Sequence, residues 1–258
     1  FFSIFDIVIL YCYTKFSMLN SLVRSLKEIL YPRNCLLCRE KIFLNDQKDL
    51  VCLKCLKEIL PHLPPFCRKC GRGLTQKDTA KHTCGECLNA RFYFERAWAV
   101  CPYQENAREL IHQFKYKNKI FLAKPLSELM IDFIQHYHLP LNHCDYLIPI
   151  PLSPAKLRER EFNQAEVLAK EIAGHFGIKL LSNNLKRVRN TPAQADLDKE
   201  SRWKNISGAF GITNPDAIKG KTILLLDDVL TTGATASEAS RILKNARASA
   251  VYVFTLSS

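Results

Sequence analysis

The chain has 258 residues, 47% hydrophobic and 24% charged, enough for one good α/β core with a small appended module. Its 37 Lys and Arg against 25 Asp and Glu give a formal charge of +12, which suits phosphate-bearing ligands or nucleic acid. No apolar run approaches the ~20 residues of a membrane span, and nothing reads as secreted, which argues against an integral membrane protein and for a cytoplasmic one.

The first seventeen residues, FFSIFDIVILYCYTKFS, form an apolar run interrupted by Asp6. They lack the basic lead-in and small-residue cleavage site of a signal peptide. Residues 1–17 are therefore expected to be an upstream or non-native segment, with Met18 as the start; a peripheral membrane anchor is the alternative. Residues 18–34 carry the pattern SLVRSLKEIL and are expected to hold a short amphipathic helix that ends before Pro32.

Cysteine spacing dominates the next stretch. Eight of the eleven cysteines form four C-x-x-C pairs, Cys35/Cys38, Cys52/Cys55, Cys67/Cys70 and Cys84/Cys87. The second two pairs repeat the first two at an offset of 32 residues, with thirteen residues between the two pairs of each repeat. Such a duplication predicts a double zinc-ribbon module over 35–90, with two structural Zn²⁺ ions on four thiolates each. Sequential tetrads are favoured, because each repeat then folds its own knuckle; a cross-braced arrangement is the alternative. Cys12, Cys101 and Cys144 fit neither repeat and read as ordinary thiols. From Cys35 to Arg91 there are eleven Lys or Arg against six Asp or Glu. That positive surface suits single-stranded DNA or a docked protein, and charge alone does not choose.

From residue 91 onward, strand and helix patterns alternate. Arg91 to Tyr103 reads as a strand or hairpin, Asn106 to Lys117 and Leu122 to Tyr137 as helices, and Asp145 to Pro151 as a short buried strand. Ala155 to His175 reads as one long helix and Ile178 to Leu181 as a strand. Lys186 to Asn205 is polar, with little periodicity. An apolar strand at Ile223–Leu226, a helix from Ala236 and a last strand over Ala248–Leu256 complete the chain. This alternation predicts an α/β fold, residues 91–258, with a mostly parallel sheet.

The most informative stretch is KTILLLDDVLTTGATA, residues 221–236. A buried strand ends in two carboxylates, Asp227 and Asp228, and a Thr/Gly loop, Thr231-Thr232-Gly233-Ala234-Thr235, leads into a helix. Open α/β sheets bind ligands at the carboxyl ends of their strands, and a loop at a helix amino end favours an anion. Paired carboxylates are ill suited to phosphate but well suited to accept hydrogen bonds from vicinal ribose hydroxyls. The layout is that of a sugar-phosphate site. The chain has neither a Walker A loop nor a G-x-G-x-x-G dinucleotide signature.

This stretch resembles the phosphoribosyl pyrophosphate (PRPP) motif of type I phosphoribosyltransferases. The resemblance extends to the amino-terminal cysteine pairs, HQFKYK at 112–117, IPIPLSPAKLREREFNQA at 148–165 and RVRNTPAQADLDKESRWKNISGAF at 187–210. Together these segments resemble the ComF/GntX, or competence-protein-F, family over nearly the whole chain. That implies a type I phosphoribosyltransferase-like domain in which Asp227 and Asp228 serve the ribose and Thr231 to Thr235 the 5′-phosphate. It implies Lys115, Arg158, Arg160, Arg187, Arg189 and Arg202 as bases for the pyrophosphate, Mg²⁺ with the PRPP, and the polar stretch from Lys186 as a closing loop. Natural transformation, with single-stranded DNA and DNA-uptake proteins as partners, is the implied setting; an active phosphoribosyltransferase of nucleotide metabolism is the alternative. One position departs from the family pattern: Glu161 stands where Gly usually precedes FNQ. If that backbone is left-handed, Glu161 is strained and brings negative charge towards the expected pyrophosphate.

Overall fold

The computed structural model describes residues 34–42, 50–116, 119–191 and 199–258. The leading segment 1–17 and, apart from Asn34, the helix expected over 18–34 lie outside these residues. The chain divides into two compact units, residues 1–56 and 57–258. The second cysteine repeat, grouped with the first in the 35–90 module, therefore shares its compact unit with the α/β residues.

The strands are β1 (Arg96–Cys101), β2 (Tyr146–Pro149), β3 (Lys179–Leu180), β4 (Leu185–Arg187), β5 (Phe210–Ile212), β6 (Thr222–Val229) and β7 (Ala250–Ser257). Five of them form one all-parallel sheet in the order β1-β7-β6-β2-β3, and β4 pairs antiparallel with β5. The helices are α1 (Leu53–Lys57), α2 (Glu105–Tyr116), α3 (Ala123–His136), α4 (Pro154–Arg160), α5 (Gln164–Phe176), α6 (Lys199–Ile206) and α7 (Ala234–Asn245). The central strands are apolar runs rather than alternating ones because both faces of a parallel sheet are covered. Ile223 to Leu226 are all buried, in register with Val251 to Phe254.

Topology places the ligand end. The chain moves outward from β2 through α5 to β3, and in the opposite sense from β6 through α7 to β7. Right-handed crossovers then set α5 and α7 on opposite faces. A crevice opens where the two connections diverge, between the carboxyl ends of β2 and β6, the usual ligand position in such sheets. At edge strand β1, the Ala97 amide donates to the Lys69 carbonyl at 2.8 Å, so the second cysteine repeat covers that edge.

Of the strand or hairpin expected over Arg91–Tyr103, the strand forms, as β1. Two other expectations are corrected. The polar stretch from Lys186 contains β4 and a helix, α6, whose Ile206 is buried and whose Trp203 packs against the core. Charged and polar residues at the remaining positions of KESRWKNI mask that one-sided pattern. The long helix expected over 155–175 is two helices, broken between Arg160 and Gln164. Ser153 caps the first, its Oγ accepting from the Lys156 amide at 3.4 Å, with Pro154 at the first helical position. Glu161 ends it in the left-handed region, φ 64°. A helix cannot continue through that conformation, and Asn163 restarts the chain from extended backbone.

Glu161 is exposed and holds a conformation that costs an L-residue roughly 1 kcal/mol. Replacing it by Gly is expected to raise stability by ~0.5–1 kcal/mol, part of the gain being offset by the freer unfolded chain. Urea unfolding should show a higher midpoint with unchanged slope; a lower midpoint contradicts the strain.

Candidate metal centres and ligand site

The eight cysteines fall into two sequential tetrads, Cys35/Cys38/Cys52/Cys55 and Cys67/Cys70/Cys84/Cys87, with all four sulfurs in each within 4.8 Å of one another. A tetrahedral Zn²⁺ with bonds of about 2.3 Å needs sulfurs about 3.8 Å apart. Cys38 and Cys52 stand at 3.8 Å and Cys70 and Cys84 at 3.7 Å. The residues therefore fit two metal ions.

The duplication is visible bond by bond. Cys35 and Cys67 donate their amides to the carbonyls of Glu40 and Arg72, and their sulfurs accept from the amides of Cys52 and Cys84 at 3.4 Å. Both knuckles turn on a left-handed residue at the same offset, Arg39 (φ 65°) in the first and Gly71 (φ 77°) in the second. Gly is required in the second because a Cβ there would sit 2.5 Å from Cα of Trp98. Among the remaining thiols, Cys101 lies buried in β1 and donates to the Leu256 carbonyl, its pKa pushed up to about 12 chiefly by burial. Cys144 is half-buried, and Cys12 lies outside the described residues.

The acid pair lies within β6, whose strand continues through Val229 rather than stopping at Leu226. Strand alternation turns the two side chains apart, yet both lie within electrostatic reach of Lys115. Asp228 meets Lys115, at the end of α2, with Oδ1 and Nζ 2.9 Å apart and side chains 10% and 15% exposed. Burial alone would lower the Lys115 pKa; the charges of Asp228 and Asp227 raise it instead. Among the described residues Asp227 has no such ion-pair partner. Its Oδ1 accepts from the Asp228 amide at 2.9 Å, and burial together with Asp228 pushes its pKa up to about 7.

After the acids the chain turns at Thr231 and Thr232 into Gly233, which caps α7 at φ 77°. A Cβ on Gly233 would lie 2.6 Å from Cε1 of Phe92, so side-chain bulk is excluded there on two counts. Helix α7 begins at Ala234, two residues earlier than its apolar pattern suggests. Thr235 lies in its first turn, and Thr232 Oγ1 accepts from the Ala234 amide at 3.4 Å.

Across the crevice stands a group of cations. Burial lowers the Lys156 pKa, and the charges of Arg187, Arg160 and Lys115 lower it further. Burial also lowers the Arg187 pKa, opposed by Asp227. Among the described residues no carboxylate ion-pairs with Lys156, Arg160 or Arg187. Nε of Arg160 and of Arg187 is buried without a hydrogen-bond partner. Like charges gathered without a counterion are costly, and an anionic ligand would relieve that cost. Lys156 was not among the bases singled out by resemblance. The available signal was its spacing: it stands four residues before Arg160, on one face of α4.

The other singled-out residues have definite positions. Arg160 donates to Tyr116 Oη at 3.1 Å and to Gln164 Oε1 at 3.2 Å, and its guanidinium lies 4.8 Å from the Tyr116 ring centre. Arg187 donates to Thr191 Oγ1. Arg189 donates to the carbonyls of Asn205 and Ser207, which ties it to the end of α6. Arg158 lies on the exposed side of α4, and Arg202 is half-buried on α6. The FNQ segment anchors this geometry: Phe162 packs on Phe114, and Asn163 Nδ2 donates to the Ile150 carbonyl at 3.1 Å.

Parallel sheet, strand-end acids, hydroxyl turn and paired cysteine tetrads define a phosphoribosyltransferase-type domain joined to zinc ribbons. Family models agree with both parts: a double zinc ribbon domain matches residues 26–88 and a phosphoribosyl transferase domain residues 163–257. The chain is 30% identical over 215 residues to competence protein F of Haemophilus influenzae, covering 81% of this chain and 90% of that one. It is 28% identical over 227 residues to the DNA utilization protein YhgH of Escherichia coli K12, covering 87% and 96%. Competence protein ComFC of Bacillus subtilis is 28% identical over 245 residues, covering 86% and 93%. The chain belongs to the competence protein F family. No helix among the described residues is long and apolar enough to cross a membrane.

The purified, reduced protein is expected to carry two zinc ions per chain. Replacing Cys67 and Cys70 by Ser should leave one and lower the melting temperature, because the second tetrad is part of the core of the 57–258 unit. Elemental analysis finding one ion or none in the unmodified protein contradicts this.

Proposed function

We propose that the protein binds PRPP with Mg²⁺ at the carboxyl end of β6 and acts in uptake or handling of single-stranded DNA during natural transformation, in the cytoplasm. The observation that carries the ligand assignment is the acid pair beside a hydroxyl turn, faced by cations that make no ion pair with a carboxylate among the described residues. Asp227 and Asp228 accept hydrogen bonds from the ribose 2′ and 3′ hydroxyls. Backbone amides of Thr231 to Thr235 and the amino end of α7 hold the 5′-phosphate. Lys156, Arg160 and Arg187 face the pyrophosphate, and Mg²⁺ is held mainly by ligand oxygens. Lys115 holds Asp228 in place through their ion pair.

The same arrangement meets the needs of phosphoribosyl transfer. Departure of pyrophosphate from C1′ passes through an oxocarbenium-like state, which fixed cations beside the leaving group stabilise. The DNA role draws on relatives named for competence and DNA utilization, and on the basic surface of residues 35–91.

Calorimetric titration with PRPP and Mg²⁺ tests the ligand assignment. Hydrogen bonds to charged groups contribute roughly 1.5–3 kcal/mol each, so Asp227→Asn with Asp228→Asn should weaken binding at least about tenfold. Asp227 accepts more strongly from hydroxyls when ionised than when protonated, and burial with Asp228 pushes its pKa up to about 7, so affinity should rise as pH climbs through that value. Asp227→Asn should remove this part of the pH profile, while titration of the ligand's own phosphates persists in both proteins. Unchanged affinity in the double variant would place the ribose elsewhere.

A further inference from the structure

A second recess adjoins the phosphate turn and involves neither acid. It is a cleft of about 350 Å³, with one wall from the second cysteine repeat and its exit (Arg72, Asn89, Arg91, Phe92), another from Trp203 of α6, and a third from Leu230 to Gly233. All of it lies within the 57–258 unit.

Its chemistry is selective. Phe94, buried in the core, stacks on Phe92 with ring centres 4.7 Å apart, and Phe92 stacks on Trp203 at 6.0 Å. The three rings form one column running from the core to the half-buried Trp203, which lines the cleft. Arg91 and Asn89 are exposed at the mouth. Arg72 pairs with Glu86, the one carboxylate lining the cleft among the described residues, through one terminal nitrogen at 3.2 Å, while its Nε is buried without a partner. An aromatic platform, guanidinium groups and an amide side chain are the elements with which proteins hold an unpaired base: the ring stacks, and the cations follow the backbone.

The position narrows the ligand further. Thr231, Thr232 and Gly233 line this cleft and also form the turn assigned above to a phosphate. Asp227 and Asp228 do not line it. A ring seated here therefore lies at the phosphate end of the site, away from the carboxylates that would hold a ribose.

We infer that the cleft takes one base of a single-stranded nucleic acid, stacked on Trp203, with the adjoining backbone phosphate on the Thr231–Gly233 turn. The inference rests on the reading of that turn as a phosphate site. It also makes strand and PRPP mutually exclusive there, since both need the turn.

The chain contains two tryptophans, and Trp98 is only 6% exposed, within β1. In the full-length Trp98→Phe protein the emission therefore reports Trp203 alone. A short oligothymidylate at low salt should quench it saturably, ribose 5-phosphate should not, and PRPP with Mg²⁺ should shift the quenching to higher oligonucleotide concentration. In the otherwise unmodified protein, anisotropy of a labelled oligonucleotide should show binding about fivefold or more weaker in Trp203→Ala and in Arg91→Ala. Calorimetric affinity for PRPP should be unchanged in Arg91→Ala. Arg91 is exposed, so its loss does not threaten folding, and removing the remote exposed Lys179 charge should alter DNA binding far less. Oligonucleotide binding without quenching, or Arg91→Ala behaving like Lys179→Ala, overturns the proposal even where PRPP binds normally. Quenching that saturating PRPP leaves unaltered overturns the shared turn. Failure of PRPP to bind while the oligonucleotide still quenches would overturn the phosphoribosyl reading and leave the cleft standing.

Discussion

Two carboxylates held next to each other near the end of a buried strand repel one another and lose their water, and the ligand end of the molecule is arranged around that cost. One charge is answered directly: Lys115, brought in by the end of α2, pairs with Asp228 at 2.9 Å. The other is not. Among the described residues Asp227 has no ion-pair partner, and burial together with Asp228 pushes its pKa up to about 7. A buried pair of this kind contributes little to stability and is better understood as a means of fixing geometry.

The cations opposite carry the complementary strain. Burial lowers the Lys156 pKa and the charges of Arg187 and Arg160 lower it further, and among the described residues the fold gives these cations no ion-paired carboxylate. Tyr116 and Gln164 orient Arg160, Thr191 orients Arg187, and Asn163 ties the start of α5 back to the end of β2. Arg189, next but one to Arg187, closes the end of α6. Glu238 then joins this layer to α7 by accepting from the Gly208 amide at 2.7 Å and from Arg241. Opposed charges of both signs, each incompletely satisfied, suit a ligand that brings hydroxyls for one side and phosphates for the other.

The parts of this arrangement that were legible in the sequence are those written in local spacing. The four cysteine pairs at a 32-residue offset predicted two sequential tetrads, and the apolar run closing in two acids and a Thr/Gly turn predicted a ligand-bearing strand end. The parts that were not legible depend on backbone conformation or on distant partners. Glu161 occurs inside a pattern that reads as continuous helix, and only its φ of 64° shows the break. Arg158, Lys156 and Arg160 look alike in a basic segment, and the turn of α4 alone decides which face the crevice. Arg189 resembles a ligand contact by its neighbours, yet the carbonyls it meets lie sixteen and eighteen residues away. The requirement for Gly233 had a sequence signal in the motif, but its steric reason, Phe92, comes from far earlier in the chain.

The central claim, that acid pair and hydroxyl turn form one phosphoribose site, is tested most directly by a crystal structure of the full chain grown with PRPP and Mg²⁺. The account predicts the ribose hydroxyls against Asp227 and Asp228, the 5′-phosphate on the Thr231–Thr235 turn, and the pyrophosphate towards Lys156, Arg160 and Arg187. A ligand bound with its phosphate away from that turn, or with its ribose out of reach of both acids, would contradict it.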